Sequence, residues 1–140
     1  MKKTIQILIG ILICSNVIAQ DITDAERLAK LSYMKGADKT NCDSTSGSNI
    51  EHRICLNIEF QRLDSILNVR YDSLLKSIEN DSIKNGITKF HKAWVENRRI
   101  QSELISDGLQ GHSLGIYYLD CMVSTTNRRI EEIEYLLEMK

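Results

Sequence analysis

The sequence predicts an all-α fold: a small antiparallel bundle of three long helices with a short helix before them, closed by one disulfide. Three observations predict it. Apolar residues recur at steps of three and four in three separate segments, which places them on one face of a helix. Proline is absent throughout and aromatics are only 6% of the chain, so nothing breaks a long helix and little favours strands. Leu, Ile, Glu, Lys, Arg and Ser dominate, a composition that leans to helix over sheet.

The first segment reads as an address. Lys2 and Lys3 precede an apolar run from Ile5 to Ile13, broken by Gln6 and Gly10. Val17-Ile18-Ala19 then offers modest side chains at the first and third places before a cut. This is the pattern of a cleavable secretory signal over residues 1–19, cut after Ala19. The run is shorter than the roughly 20 residues that span a bilayer; an uncleaved anchor is the alternative. A lipoprotein needs a small residue just before Cys14, and Ile13 is not small. The expected location is therefore periplasmic or secreted, with no membrane span after cleavage. Without Lys2 and Lys3, 16 basic side chains face 19 acidic ones, a net charge of −3. That argues against a nucleic-acid partner and for a cationic one.

Residues 20–41 read as a short helix and a polar loop. Thr23 and Glu26 have capping-box spacing, and Ala25, Leu28, Ala29 and Leu31 give a thin stripe for a helix from Thr23 to Tyr33. Lys35 to Ser48 is polar and carries Cys42. The helical domain proper is expected over 42–138. Its first long helix runs from Ile50 to Glu79, with Leu56, Phe60, Leu63, Leu67, Tyr71, Leu74 and Ile78 on one face and Ser48 or Asn49 as N-cap. Asn80-Asp81-Ser82 breaks it. The second spans about Ile83 to Ile105, with Ile83, Ile87, Phe90, Trp94, Val95, Leu104 and Ile105 as its stripe and Ile100 off the main line. A turn follows at Asp107 to His112. Ser113 is placed to cap the third, which runs through Leu114, Tyr118, Cys121, Met122, Ile130, Ile133, Leu136 and Leu137. Short links make neighbouring helices antiparallel.

Cys42, Cys55 and Cys121 remain after the signal. In an oxidising compartment Cys42 and Cys55, joined by a flexible loop, are expected to pair, for about 3 kcal/mol in the chain-entropy model. Zinc is the competing reading, since His52 lies three residues before Cys55; with no CxxC and no second histidine pair, no metal is expected. Cys121 is either a buried thiol or a link between two chains.

Several segments resemble one family. Asp64-x-x-Leu67-Asn68-x-x-Tyr71 resembles the D-x-x-L-N-x-x-Y motif of the LprI-like lysozyme-inhibitor family, N-terminal domain, where a cysteine pair precedes it as here. Trp94 and Arg98 match the next family segment; Asn97, Arg99 and Ser102 stand where it has an aromatic, an aspartate and a cysteine. Gly111-His112-Ser113 resembles its glycine-serine loop, and Cys121, Thr126, Arg129 and Ile133 fit its last segment. The resemblance covers about residues 42–137. It implies an exported helical protein, named for a member that inhibits lysozyme. It also implies that the family's partner for Cys121 would sit at Ser102, so that Cys121 is a leftover of a second disulfide.

Asp64, Asn68 and Tyr71 share one helix face. They read as a buried network, with Asp64 paired to Arg98 or Arg129; the alternative is a surface patch that meets a partner. His52, His91 and His112 are scattered with no nucleophile at a suggestive spacing, and Gly-His-Ser-Leu-Gly lacks the strand a nucleophile elbow needs. No phosphate-cradling loop appears. The chain is therefore read as no enzyme, with no cofactor. Its expected partner is lysozyme or another cationic envelope-directed protein. The expected contacts are Ser46, Gly47 and Ser48 in loop 43–49, and Gly111, His112 and Ser113 in loop 107–113, polar glycine-bearing links between helices. The competing function is a periplasmic interaction module without inhibitory activity.

Overall fold

A computed structural model describes residues 23–44 and 46–140. The expected signal peptide with its cut after Ala19, Cys14, and Thr45 of the first loop lie outside the described residues. Thr23 starts the first helix, α1 (Asp24–Ala29), through the expected capping box: its hydroxyl accepts from the Glu26 N–H at 3.2 Å and the Glu26 carboxylate accepts from its N–H at 3.3 Å. The helix is shorter than its stripe suggests. The chain turns at Lys30 and continues as a 3-10 helix, Ser32–Lys39, where the short helix was expected to run on to Tyr33 and a polar loop to begin at Lys35. Tertiary contacts decide this: Leu28 is buried, the Tyr33 hydroxyl accepts from Asn57 at 2.7 Å, and Gly36 lies against Ile54.

The three long helices are α2 (Asn49–Ser77), α3 (Asp81–Ser106) and α4 (Gly111–Glu138). Ser48 caps α2 by accepting from the Glu51 N–H at 3.3 Å. Asn80 caps α3 by accepting from Ser82 and Ile83 at 2.9 and 3.1 Å. The expected Ser113 cap is corrected: α4 begins earlier, behind Gln110, with no side-chain cap, and Ser113 lies in its first turn. The turn runs through Gly108 (φ 75°) and Gly111 (φ 60°), which take the left-handed backbone that other residues resist. Among the described residues there is no strand.

α4 packs along both α2 and α3. It runs parallel to α2: Arg53 meets Gly115, Arg70 pairs with Glu134 at 3.0 Å, and Lys140 donates to the Ser77 carbonyl at 3.1 Å. α3 returns antiparallel to both. Leu63, Leu67, Leu74, Ile78, Ile130 and Ile133 fill one part of the core; Leu28, Phe60, Leu119 and Met122 fill the other. The expected disulfide joins Cys42 to Cys55, with 5.5 Å between Cα atoms.

The α3 stripe is corrected too. Ile83, Phe90, Ile100 and Ile105 are 55 to 56% exposed and Leu104 is 73% exposed. The fully buried residues of α3 are Arg98, Ser102 and Ser106. Two lines compete on this helix, and the one carrying Arg98 turns inward. Facing it outward would strand carboxylates in the core, a larger cost than exposing aliphatic side chains. Each serine hydroxyl donates to a carbonyl one turn back, at 2.9 Å, so these small polar side chains are buried without loss.

Candidate functional site

Arg98 is 2% exposed and ties α3 to three other helices. Its Nη1 donates to Asp64 Oδ1 at 2.8 Å and to Thr126 Oγ1 at 2.9 Å; its Nη2 reaches Asp24 Oδ2 at 3.4 Å. The other Asp24 oxygen accepts from Arg99 Nε at 2.9 Å and Arg27 Nη2 at 3.2 Å. The Arg98 guanidinium lies 4.9 Å over Phe60 and 5.1 Å over Trp94, a favourable place for a cation. Of the two expected partners for Asp64, Arg98 is therefore the one that meets it. Arg129 pairs with Glu132 at 2.9 Å and lies over Phe90 and Trp94. Asp24 escapes a sequence reading because an acid in the first turn of a helix looks like an exposed dipole partner.

Beside this network a groove of about 480 Å³ opens between α2 and α3, with Thr23 and Asp24 at one end. Asp64, Leu67, Asn68 and Tyr71 line its α2 wall; His91, Val95 and Arg98 line its α3 wall. The four motif residues are thus divided. Asp64 and Leu67 are buried, Tyr71 is half-buried and Asn68 is exposed. His91 stacks on Tyr71 with 3.8 Å between ring centres and continues toward Trp94 at 5.9 Å. Burial, helped by the nearby Arg129 and Arg98 cations, pushes the His91 pKa down to about 4. The ring is held neutral against two guanidinium groups.

A family model described as lysozyme inhibitor LprI matches residues 40–133. The chain belongs to the LprI lysozyme-inhibitor family. The match takes in the disulfide, the groove-lining motif of α2, Arg98, and Thr126 and Arg129 of α4; of these, Arg98 is bonded to both Asp64 and Thr126. No curated protein and no solved structure matches the chain. The family is one of inhibitors, not of catalysts.

The two polar, glycine-bearing links expected to make contact lead into α2 and α4, and so lie at the same end of the bundle, because those helices start there and run in parallel. Ser46 donates from its N–H and its hydroxyl to Glu51 Oε2, at 2.8 and 2.6 Å. These bonds from Ser46 hold the Glu51 carboxyl below the usual range. Asp43 donates its N–H to Asn41 Oδ1 at 3.0 Å, and Gly47 takes φ 83°. The disulfide anchors the loop from behind. His112 and Ser113 are exposed on the neighbouring turn.

Two further residues, which patterning alone does not flag, support this end. Asn57 is fully buried; its amide donates to the Leu28 carbonyl at 3.0 Å and to Tyr33, and accepts from Gln61 at 3.0 Å. Arg53 lies 4.1 Å over the Tyr33 ring and fills the space a side chain at Gly115 would need. Cys121 is free and 6% exposed, 3.8 Å from the Thr125 hydroxyl. The Cys121 sulfur is buried, which argues against the Cys121-linked dimer. Ser102, where the LprI pattern has a cysteine, is buried on the helix that packs against α4.

Proposed function

We propose that the protein is exported and inhibits lysozyme or a related cell-wall hydrolase by occluding its substrate cleft. Membership of the LprI family motivates the activity, and one observation carries the mechanism: the links that lead into α2 and α4 lie at the same end of the bundle, because the two helices start there and run in parallel. A loop fixed by a disulfide and by the Ser46–Glu51 bonds loses little freedom when it enters a cleft, so more of its contact energy appears as affinity. The net charge of −3 left by cleavage after Ala19 steers the domain toward a cationic hydrolase. Among the described residues no helix is long and apolar enough to cross a membrane.

The test is direct. Mature protein is mixed with several lysozymes, and the clearing of a cell-wall suspension is followed. Slowing is expected at near-stoichiometric ratios, and Gly47→Arg with His112→Ala should weaken it about tenfold or more without changing the helical circular dichroism. Unchanged clearing at a large molar excess removes the proposal. The second reading, an envelope-protein module without inhibitory activity, draws on the α2–α3 groove. Pull-down from envelope extract that is lost in Asn68→Arg, but not in the loop variant, favours it.

A further inference from the structure

A helix packed into a monomer needs one apolar face, and α3 has two. The inner one carries Ile87, Trp94 and Val95 and meets the bundle. The outer one runs Ile83, Gly86, Phe90, Ala93, Asn97, Ile100 and Leu104, and every one of these residues is exposed. Their spacing alternates three and four. That is a heptad seam with one polar residue, Asn97, near its centre, the pattern by which helices pair with other helices. Its four large side chains are more than half exposed, on the order of 400 Å² of apolar surface, as much as the largest patch on a typical monomer.

We propose that this seam is a docking surface for a second copy of the chain, with the two α3 helices antiparallel. Size selects that direction. Antiparallel pairing sets Phe90 of one copy against Ile100 of the other, Leu104 against Gly86, and Asn97 against Ala93, so that large side chains meet small ones. Parallel pairing would set Gly86 against Gly86 and Ala93 against Ala93, leaving voids. Charge selects it as well. Lys89, Glu96 and Glu103 occupy the outward flank of the seam, and in antiparallel order Lys89 of each copy faces Glu103 of the other. Glu96 lies near the two-fold axis and faces its own copy, which holds the affinity down. The apolar area alone is about half the roughly 800 Å² per partner of a standard interface, so the dimer is a reversible one. It uses neither Cys121 nor the loop end, and it stands independently of the inhibitory reading.

Sedimentation equilibrium of the mature protein between micromolar and millimolar concentration tests it. A monomer–dimer equilibrium is expected. Ile100→Glu with Leu104→Glu should weaken it about 100-fold; both positions are exposed, so the helical circular dichroism should be unchanged. Lys89→Glu should weaken it about fivefold, and adding Glu103→Lys should restore it, which non-specific apolar sticking would not do. Glu96→Gln should tighten it severalfold. A monomer at every concentration, or a dimer indifferent to the Ile100 and Leu104 changes, overturns the proposal.

Discussion

Replacing Arg98 by methionine should be the most damaging conservative change in the core, and its size follows from the geometry. Methionine fills most of the volume, so the loss is electrostatic. Arg98 is fully buried, and its removal deletes bonds to Asp64, Thr126 and Asp24 and its stacking over Phe60 and Trp94. Taking one member from a buried ion pair costs about 3–5 kcal/mol, because the other is left without compensation. Two features hold the cost toward the lower end. Asp24 keeps Arg99 and Arg27, and Asp64 borders a groove that water can enter. The expected loss is about 3–4 kcal/mol, a large share of the ~5–15 kcal/mol of a domain.

Urea unfolding followed by circular dichroism measures this loss. With a slope of about 1–3 kcal/mol per molar, the midpoint should fall by more than about 1 M. A double-mutant cycle then isolates the pair. Asp64→Leu alone should cost about 2–3 kcal/mol, by stranding the guanidinium; in the Arg98→Met background it should instead recover most of the loss, because it removes a carboxylate left without its partner. If Arg98→Met lies within 1 kcal/mol of the parent, or the two changes add, Arg98 and Asp64 do not form a coupled buried pair.

Other outcomes follow from the same contacts. His91 protonates at about 4 in the folded chain against 6.5 as its ordinary value, so below 6.5 the unfolded chain binds the extra proton; its stabilising contribution is complete above pH 6.5 and is lost as pH falls toward 4. Discounted for the water that reaches the ring, the loss is about 1–2 kcal/mol, and the difference between parent and His91→Gln stability across pH 8 to 4 isolates it. Cys42→Ser with Cys55→Ser should cost about 3 kcal/mol in thermal unfolding. Ser102→Cys in the mature protein should close a second disulfide with Cys121, consuming the Cys121 thiol and adding about 3 kcal/mol. Gly115→Ala pushes into Arg53 and should cost about 1–2 kcal/mol; Arg53→Ala in the same chain should recover most of it.

Where local pattern and tertiary need agree, the sequence is legible. α2 is the clear case: its stripe, its Ser48 cap and its boundaries are readable because Phe60, Leu63, Leu67 and Leu74 are buried for the same reason they are periodic. The disulfide is readable from proximity along the chain. α3 is misread because a stripe says which residues are apolar, not which face the partners require. Arg98 fixes the rotation of the helix, and its demand is visible only once Asp64, Thr126 and Asp24 are placed. Asn57 and Asp24 are invisible for a related reason. A polar residue is expected to be exposed unless its partners are known, and theirs lie 29 residues away in one case and 74 in the other.

The network and the loops are also linked through helix register. Arg98 bonds to α2 through Asp64 and to α4 through Thr126, so it fixes how far one parallel helix is displaced along the other. The apolar contacts between these helices are less particular, since a slip of one turn still sets aliphatic side chains against aliphatic side chains. Such a slip moves the start of α4 by about 5.4 Å against the start of α2, which would carry His112 and Ser113 out of line with Ser46 to Ser48. A chain with Asp64→Leu, Arg98→Met and Thr126→Val should therefore separate stability from function. Asp24 keeps Arg99 and Arg27 in this chain, and apolar replacement of the rest of a buried network is often neutral or stabilising, so unfolding should be little changed. Inhibition of lysozyme should fall about tenfold or more, with broadened loop resonances in the NMR spectrum. If the variant inhibits as the parent does, register is set elsewhere and the network serves stability alone.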